Sequence, residues 1–237
     1  VNGAPMGSVL EPSEEREIEV AVAGGHALDY VEVLHNNRVI ERVSGHELSA
    51  AADPYGEPFQ IHMEVGWAER NEDIDWEVAL TVAGGELLKI EPRFRGHEVV
   101  APSATEAESY AFSHWERSGA QGVHFRTRTW GNPTTVTAST QGICLTVTGG
   151  PDTRIQGTVN GHPVSVSLSR LVAGPLAGYL GGFLTPSYYF QRAIPAAEAT
   201  ARLQFTHRSA TNGRDWYYVR VRQTNDQWAW SSPIWVG

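Results

Sequence analysis

The chain has 237 residues, 41% of them hydrophobic and eight of them Trp, which is enough for a well-filled core in one large or two small domains. Eighteen Lys and Arg stand against 27 Asp and Glu, and a net charge of −9 without any basic cluster argues against nucleic-acid and anionic-membrane partners. No apolar run approaches the roughly 18 residues that span a bilayer, no signal-peptide pattern opens the chain, and a single Cys144 forbids an internal disulfide.

Residues 1–10 carry Gly and Pro and read as a lead-in; a start at Val1 rather than Met is what a piece of a longer protein would show. Residues 16–23 then alternate, with Ile18, Val20 and Val22 inward and Glu17, Glu19 and Ala21 outward, as a strand with one buried face requires. Gly24-Gly25 ends that strand. Residues 30–34 and 38–43 form a hairpin across Asn36-Asn37, whose side chains tolerate a left-handed turn, and residues 44–58 are a polar connection. Phe59, Ile61, Met63, Val65 and Trp67 share one face of the next strand, with Gln60, His62 and Glu64 on the other. Trp76, Val78, Leu80 and Val82 repeat the pattern after the acidic loop at 71–75. Val22-Ala23-Gly24-Gly25 and Val82-Ala83-Gly84-Gly85 lie sixty residues apart, either a relic of a duplicated unit or, more simply, one strand–turn solution used twice.

Residues 101–109 alone have helical composition. Strands follow at 110–115, 122–130, 134–140 and 142–147, all rich in β-branched and aromatic residues. Cys144, inside the last of these, reads as a buried, inert thiol. Asn160-Gly161 marks a tight hairpin within 153–168, residues 171–186 are Gly-rich and irregular, and 188–193 and 201–205 supply further strands. In the closing segment Tyr217, Val219 and Val221 take one face and Tyr218, Arg220 and Arg222 the other. A polar turn at 224–227 leads to a returning apolar run, 228–236, where Pro233 demands a sheet edge or a bulge. The whole reads as an all-β chain, an antiparallel immunoglobulin-like β-sandwich of roughly a dozen or more strands with one short helix. It is taken as a single domain, 1–237, with a sub-boundary near 101–110.

Tyr217-Tyr218-Val219-Arg220-Val221, Gln227 and the ending Ala229-Trp230-Ser231-Ser232-Pro233-Ile234-Trp235-Val236 resemble the C-terminal end of bacterial DUF3604 proteins, relatives of the CehA/McbA-type metallohydrolases that carry a PHP domain. Gly178-Tyr179-Leu180-Gly181-Gly182, Arg192-Ala193-Ile194-Pro195 and Asn2-Gly3-Ala4-Pro5-Met6-Gly7 are similar to the same family, and the likeness is weak in the middle of the chain. A PHP domain holds its metal ions with His-x-His and spaced Asp or Glu motifs. No His-x-His occurs here, so none of that family's catalytic residues transfers to any position. The resemblance implies that they lie upstream of Val1 and that this chain is a non-catalytic accessory portion needing no cofactor. Its expected partners are the upstream catalytic domain of the same polypeptide and a second copy of itself.

Other catalytic signatures are incomplete. His46-Glu47 and His97-Glu98 begin like a zinc-protease motif, but Ala50 and Ala101 stand where the second His should be. Asn71, Asp73 and Asp75 alternate as Ca²⁺ ligands do, yet Trp76 and Val82 replace the turn glycine and closing glutamate, which leaves a solvated loop as the simpler reading. No catalytic residue and no metal ligand is expected. The candidate binding residues are Tyr218, Arg220, Arg222, Trp228 and Trp230: outward Arg and Tyr on the closing strand beside two Trp on a Pro-containing edge. They serve either as a plain outward face whose Arg stems cover rings or as a docking surface. A carbohydrate-binding or adhesion module is the alternative function, since exposed aromatic rings also stack on sugars.

Overall fold

The computed structural model describes residues 1–44, 54–68, 72–94, 113–129, 140–182, 185–209, 213–225 and 227–237. Within these the chain is almost entirely antiparallel β-sheet, as the alternation requires. It packs as two compact units, Val1–Pro54 with Ile194–Gly237, and Tyr55–Ala193. The division differs from a single domain with a sub-boundary near 101–110, because the first unit is assembled from both ends of the chain and a pass along the sequence sees only contiguous stretches. The expected helix at 101–109, most of the strand at 134–140, Asn71, Trp130 and the two His-Glu pairs lie outside the described residues.

The first unit opens with β1 (Val9–Leu10), β2 (Glu15–Ala23), β3 (Leu28–His35) and β4 (Arg38–Ser44). Ile18 and Val20 of β2 are buried while Glu17 and Glu19 are exposed. Asn36 and Asn37 both take positive φ, 48° and 66°, the left-handed pair that a two-residue hairpin needs.

The chain then builds the second unit from β5 (Phe59–Gly66), β6 (Ile74–Pro92), β7 (His114–Ser118), β8 (Gly122–Thr129), β9 (Gln141–Val159) and β10 (His162–Ser167). Helix α1 (Leu168–Ala173), β11 (Leu176–Tyr179) and β12 (Ser187–Phe190) complete it. Sheet order is β11-β12-β5-β9-β6-β8-β7, with β10 also on β9. The long strands β6 and β9 pair from Val78–Val159 to Pro92–Ile143, with a break in register between Ala83 and Gly85. One half of β9 lies beside β5 and the other beside β10. Both long strands therefore pass from one half-sheet to the other, and the core fills between the halves with Phe59, Ile61, Met63, Trp76, Phe125, Val164 and their neighbours. Gly84-Gly85, expected to end a strand, instead lies inside β6 at this bend. There the Thr153 hydroxyl donates to the Gly84 carbonyl at 2.8 Å, and a Cβ on Gly149 would sit 2.1 Å from the Thr153 oxygen.

Two further departures have local causes. Residues 168–173, expected as strand end and irregular chain, form α1 because the Ser167 side chain accepts from Arg170 N and caps the first turn, with Leu168 and Leu171 buried three residues apart. Trp67, expected inward with Val65, has φ +57° and is 44% exposed, since the left-handed step at the end of β5 turns it off the core face.

The chain returns to the first unit with β13 (Ile194–Pro195), β14 (Thr200–Arg208), β15 (Asp215–Gln223), β16 (Trp228–Trp230) and β17 (Ile234–Val236). One sheet runs β1-β17-β15-β3-β4 with β16 also on β15, and β14 pairs with β2. Ile18, Val20, Ala201 and Leu203 from the β2–β14 pair pack with Val31, Val33, Tyr217, Ile234 and Val236 from the larger sheet, so this unit is a two-layer sandwich. Pro233 sits where the returning strand breaks: Tyr217 pairs with Ile234 but Arg220 with Trp230, so one extra residue bulges between β16 and β17.

Candidate functional site

In β15 the side chains of Tyr217, Val219 and Val221 turn to the core of the first unit, which sends Tyr218, Arg220 and Arg222 to the outer face of the sheet. Register does the rest. Arg220 lies opposite Trp230 on one side and Glu32 on the other, and Arg222 lies opposite Trp228 and Tyr30. All five candidate residues therefore share one surface with Tyr30, Glu32 and Arg42.

The contacts are specific. Arg220 donates to Glu32 from Nε at 2.8 Å and from Nη2 at 2.6 Å, and Arg42 Nη1 reaches the other Glu32 oxygen at 3.1 Å. Glu32 is buried, so the two guanidiniums supply the counter-charge that a carboxylate out of water needs. The hydrogen bond to Glu32 holds Arg220 above its ordinary value and keeps it charged. Arg222 lies 3.5 Å from Asp29 and carries its guanidinium 5.1 Å from the centre of the Trp228 ring. Trp228 and Trp230 stack at 5.7 Å with planes 11° apart, Tyr30 meets Trp228 edge-on at 5.9 Å, and Arg42 lies 4.2 Å over Tyr30. The Tyr218 hydroxyl donates to Asn37 at 3.3 Å. Trp228 and Trp230 remain 42% and 59% exposed. Sequence reasoning passed over Glu32, Tyr30 and Arg42; the available signal was the phase of β3, where Tyr30 and Glu32 alternate with the inward Val31 and Val33.

A second polar cluster lies inside the same unit. Arg16 of β2 makes an ion pair with Asp215 and donates to the Tyr217 hydroxyl at 2.7 Å. His207 Nδ1 lies 2.8 Å from that hydroxyl, His35 Nε2 lies 3.0 Å from Asp215, and Asn36 donates to Asp215 at 2.7 Å. His35 stacks on Tyr217 at 4.8 Å. Burial raises Tyr217 above its ordinary value and lowers His207, the latter also opposed by His35 and Arg16. The Asp215 carboxylate, 1% exposed, ties β15 to β2 and β3, and the Tyr217 hydroxyl ties it to β14, so a His and a carboxylate converge here beneath the surface.

Elsewhere Asp75 is held in a two-point pair by Arg128, at 2.6 and 2.8 Å, and that bond keeps its carboxyl below the usual range. This is an ion pair across β6 and β8. Among the described residues no group of three or more His, Cys, Asp or Glu is placed to hold a metal ion. Cys144 is buried, and desolvation pushes its thiol up to about 11, the inert state expected of it. A scan against models of known protein families found no match, and searches of curated proteins and of solved structures found none either.

Proposed function

We propose that this chain is the non-catalytic accessory β portion of a PHP-type metal-dependent hydrolase, and that it docks on a catalytic domain of the same polypeptide through the outer face of the first unit. One observation carries the reading: Tyr218, Arg220, Arg222, Trp228 and Trp230, far from one another in side-chain chemistry, converge on a single surface with both Trp exposed. Trp, Tyr and Arg are the residues that dominate interface energetics. The Arg side chains are already fixed by Glu32 and Asp29, so little conformational freedom remains to be lost on docking. Sugar stacking at these same tryptophans has less room, because Trp228 already has Arg222, Tyr30 and Trp230 against its ring.

The test is to produce the upstream catalytic domain separately and titrate it with this chain by calorimetry. Binding is expected, and Trp228→Ala together with Trp230→Ala should weaken it by about thirtyfold or more, the effect of losing a hot-spot residue. An upstream reading frame with no His-x-His-bearing domain, or equal affinity for the double variant, ends the proposal.

A further inference from the structure

The second unit carries a separate surface trough on the outer face of β5, β12 and β11, with a volume of about 810 Å³. Register explains its shape. Glu64 pairs with Tyr189 and Tyr189 with Ala177, so these three point to one side of the sheet, and Ser187 and Tyr179 follow two residues away on the same side. The small Ala177 and Ser187 make a low floor between taller aromatic walls. Tyr179 is 70% exposed and Trp67 44% exposed.

Trp67 belongs to this trough only because its backbone takes φ +57°, a conformation that a bulky residue adopts at a cost. The step brings its indole against Tyr189 at 5.9 Å with planes 67° apart. At one side of the trough stands Glu64, buried, its two oxygens accepting from Thr140 at 3.0 Å and Gln191 at 3.1 Å. Those donors fix its direction, as a positioned acceptor requires.

The chemistry of the lining selects the ligand. Among the described residues a carboxylate lines the trough and no Lys, Arg or His does, which disfavours an anion. Trp67 and Tyr189 meet edge to face rather than as opposed walls, so they form one continuous angled platform and not the box of facing rings that encloses an ammonium group. The volume lies in the range of small-ligand sites and exceeds what a single ammonium head would fill. We propose that this trough binds a neutral carbohydrate, a pyranose lying with its C–H face on Trp67 and Tyr189 and its hydroxyls toward Glu64. The assignment is independent of the docking face on the first unit.

The test uses the whole chain on an array of neutral oligosaccharides, with any hit followed by calorimetry and saturation-transfer NMR, and tetramethylammonium chloride titrated in parallel. At least one neutral glycan is expected to saturate, with transfer strongest at ring C–H protons. Tyr179→Ala, a change at an exposed side chain, should weaken it about tenfold, as should Trp67→Ala, whereas Tyr179→Phe should retain it. Trp228→Ala should leave glycan affinity unchanged, which separates this site from the docking face. Absence of any glycan hit, saturation by tetramethylammonium alone, or full affinity in Tyr179→Ala and Trp67→Ala would each overturn the assignment.

Discussion

At the scale of single residues, the cluster around Asp215 shows how this protein keeps charge inside an all-β core. Asp215 is met by Arg16, His35 and Asn36, and Tyr217 by Arg16 and His207, so the buried carboxylate and the buried phenol hydroxyl each have more than one polar neighbour from another part of the chain. A consequence for pH follows from His207, which burial, His35 and Arg16 hold below its ordinary value of 6.5. The unfolded chain therefore takes up this proton more readily than the folded one. Stability is at its full value above the unfolded value and declines as the pH falls through 6.5 toward the lowered folded value. Urea unfolding should give a lower midpoint at about pH 5.5 than at about pH 7.5, and His207→Gln should flatten the difference. Equal midpoints for the parent protein at the two pH values would show that the proton is not linked to folding.

At the scale of elements, the bend in β6 and β9 decides the architecture of the second unit, and glycine decides the bend. Gly149 lies against the Thr153 side chain so closely that any Cβ must displace it, and the same hydroxyl is bound to the Gly84 carbonyl. Gly149→Ala should cost about 1–3 kcal/mol in a denaturant titration, the usual penalty for overpacking, whereas Gly150→Ala, with open space around its Cβ, should cost less. Equal losses would show that chain flexibility rather than the Thr153 contact sets the requirement. This bend also marks the limit of what was legible in the sequence. Period-two alternation placed β2, β5 and β15 and both Asn-bearing hairpins, because each depends on neighbours within a few residues. It could not tell a Gly-Gly that ends a strand from one that bends it, since the difference is made by Thr153 some seventy residues away. Trp67 failed for a related reason: one left-handed residue reverses the face, and alternation assumes that none intervenes. Of the outer face of the first unit, the five residues of the closing hairpin were legible and their partners on β3 and β4 were not, because strand pairing across the chain is absent from local pattern.

At the scale of the molecule, the segment Tyr55–Ala193 enters between β4 and β13 and closes on itself. Its first strand β5 pairs with its last strand β12, Met63 opposite Phe190, and the amide of Gln191 continues that pairing to the His62 carbonyl. Its core residues run from Phe59 to Ala193 and include none from the first unit. A segment with its own core and adjoining ends meets the requirements of an independently folding domain, and termini that lie together are what tolerated insertions show. Excised as a separate polypeptide, Tyr55–Ala193 should give a β-sheet circular dichroism spectrum and one cooperative thermal transition, and it should retain the glycan affinity assigned to its trough. In the whole chain the same transition should then appear beside a second one from the sandwich of β2, β3, β14 and β15, and only that second transition should follow the protonation of His207. If the excised segment has no cooperative transition, its core depends on the rest of the chain and the two units fold as one.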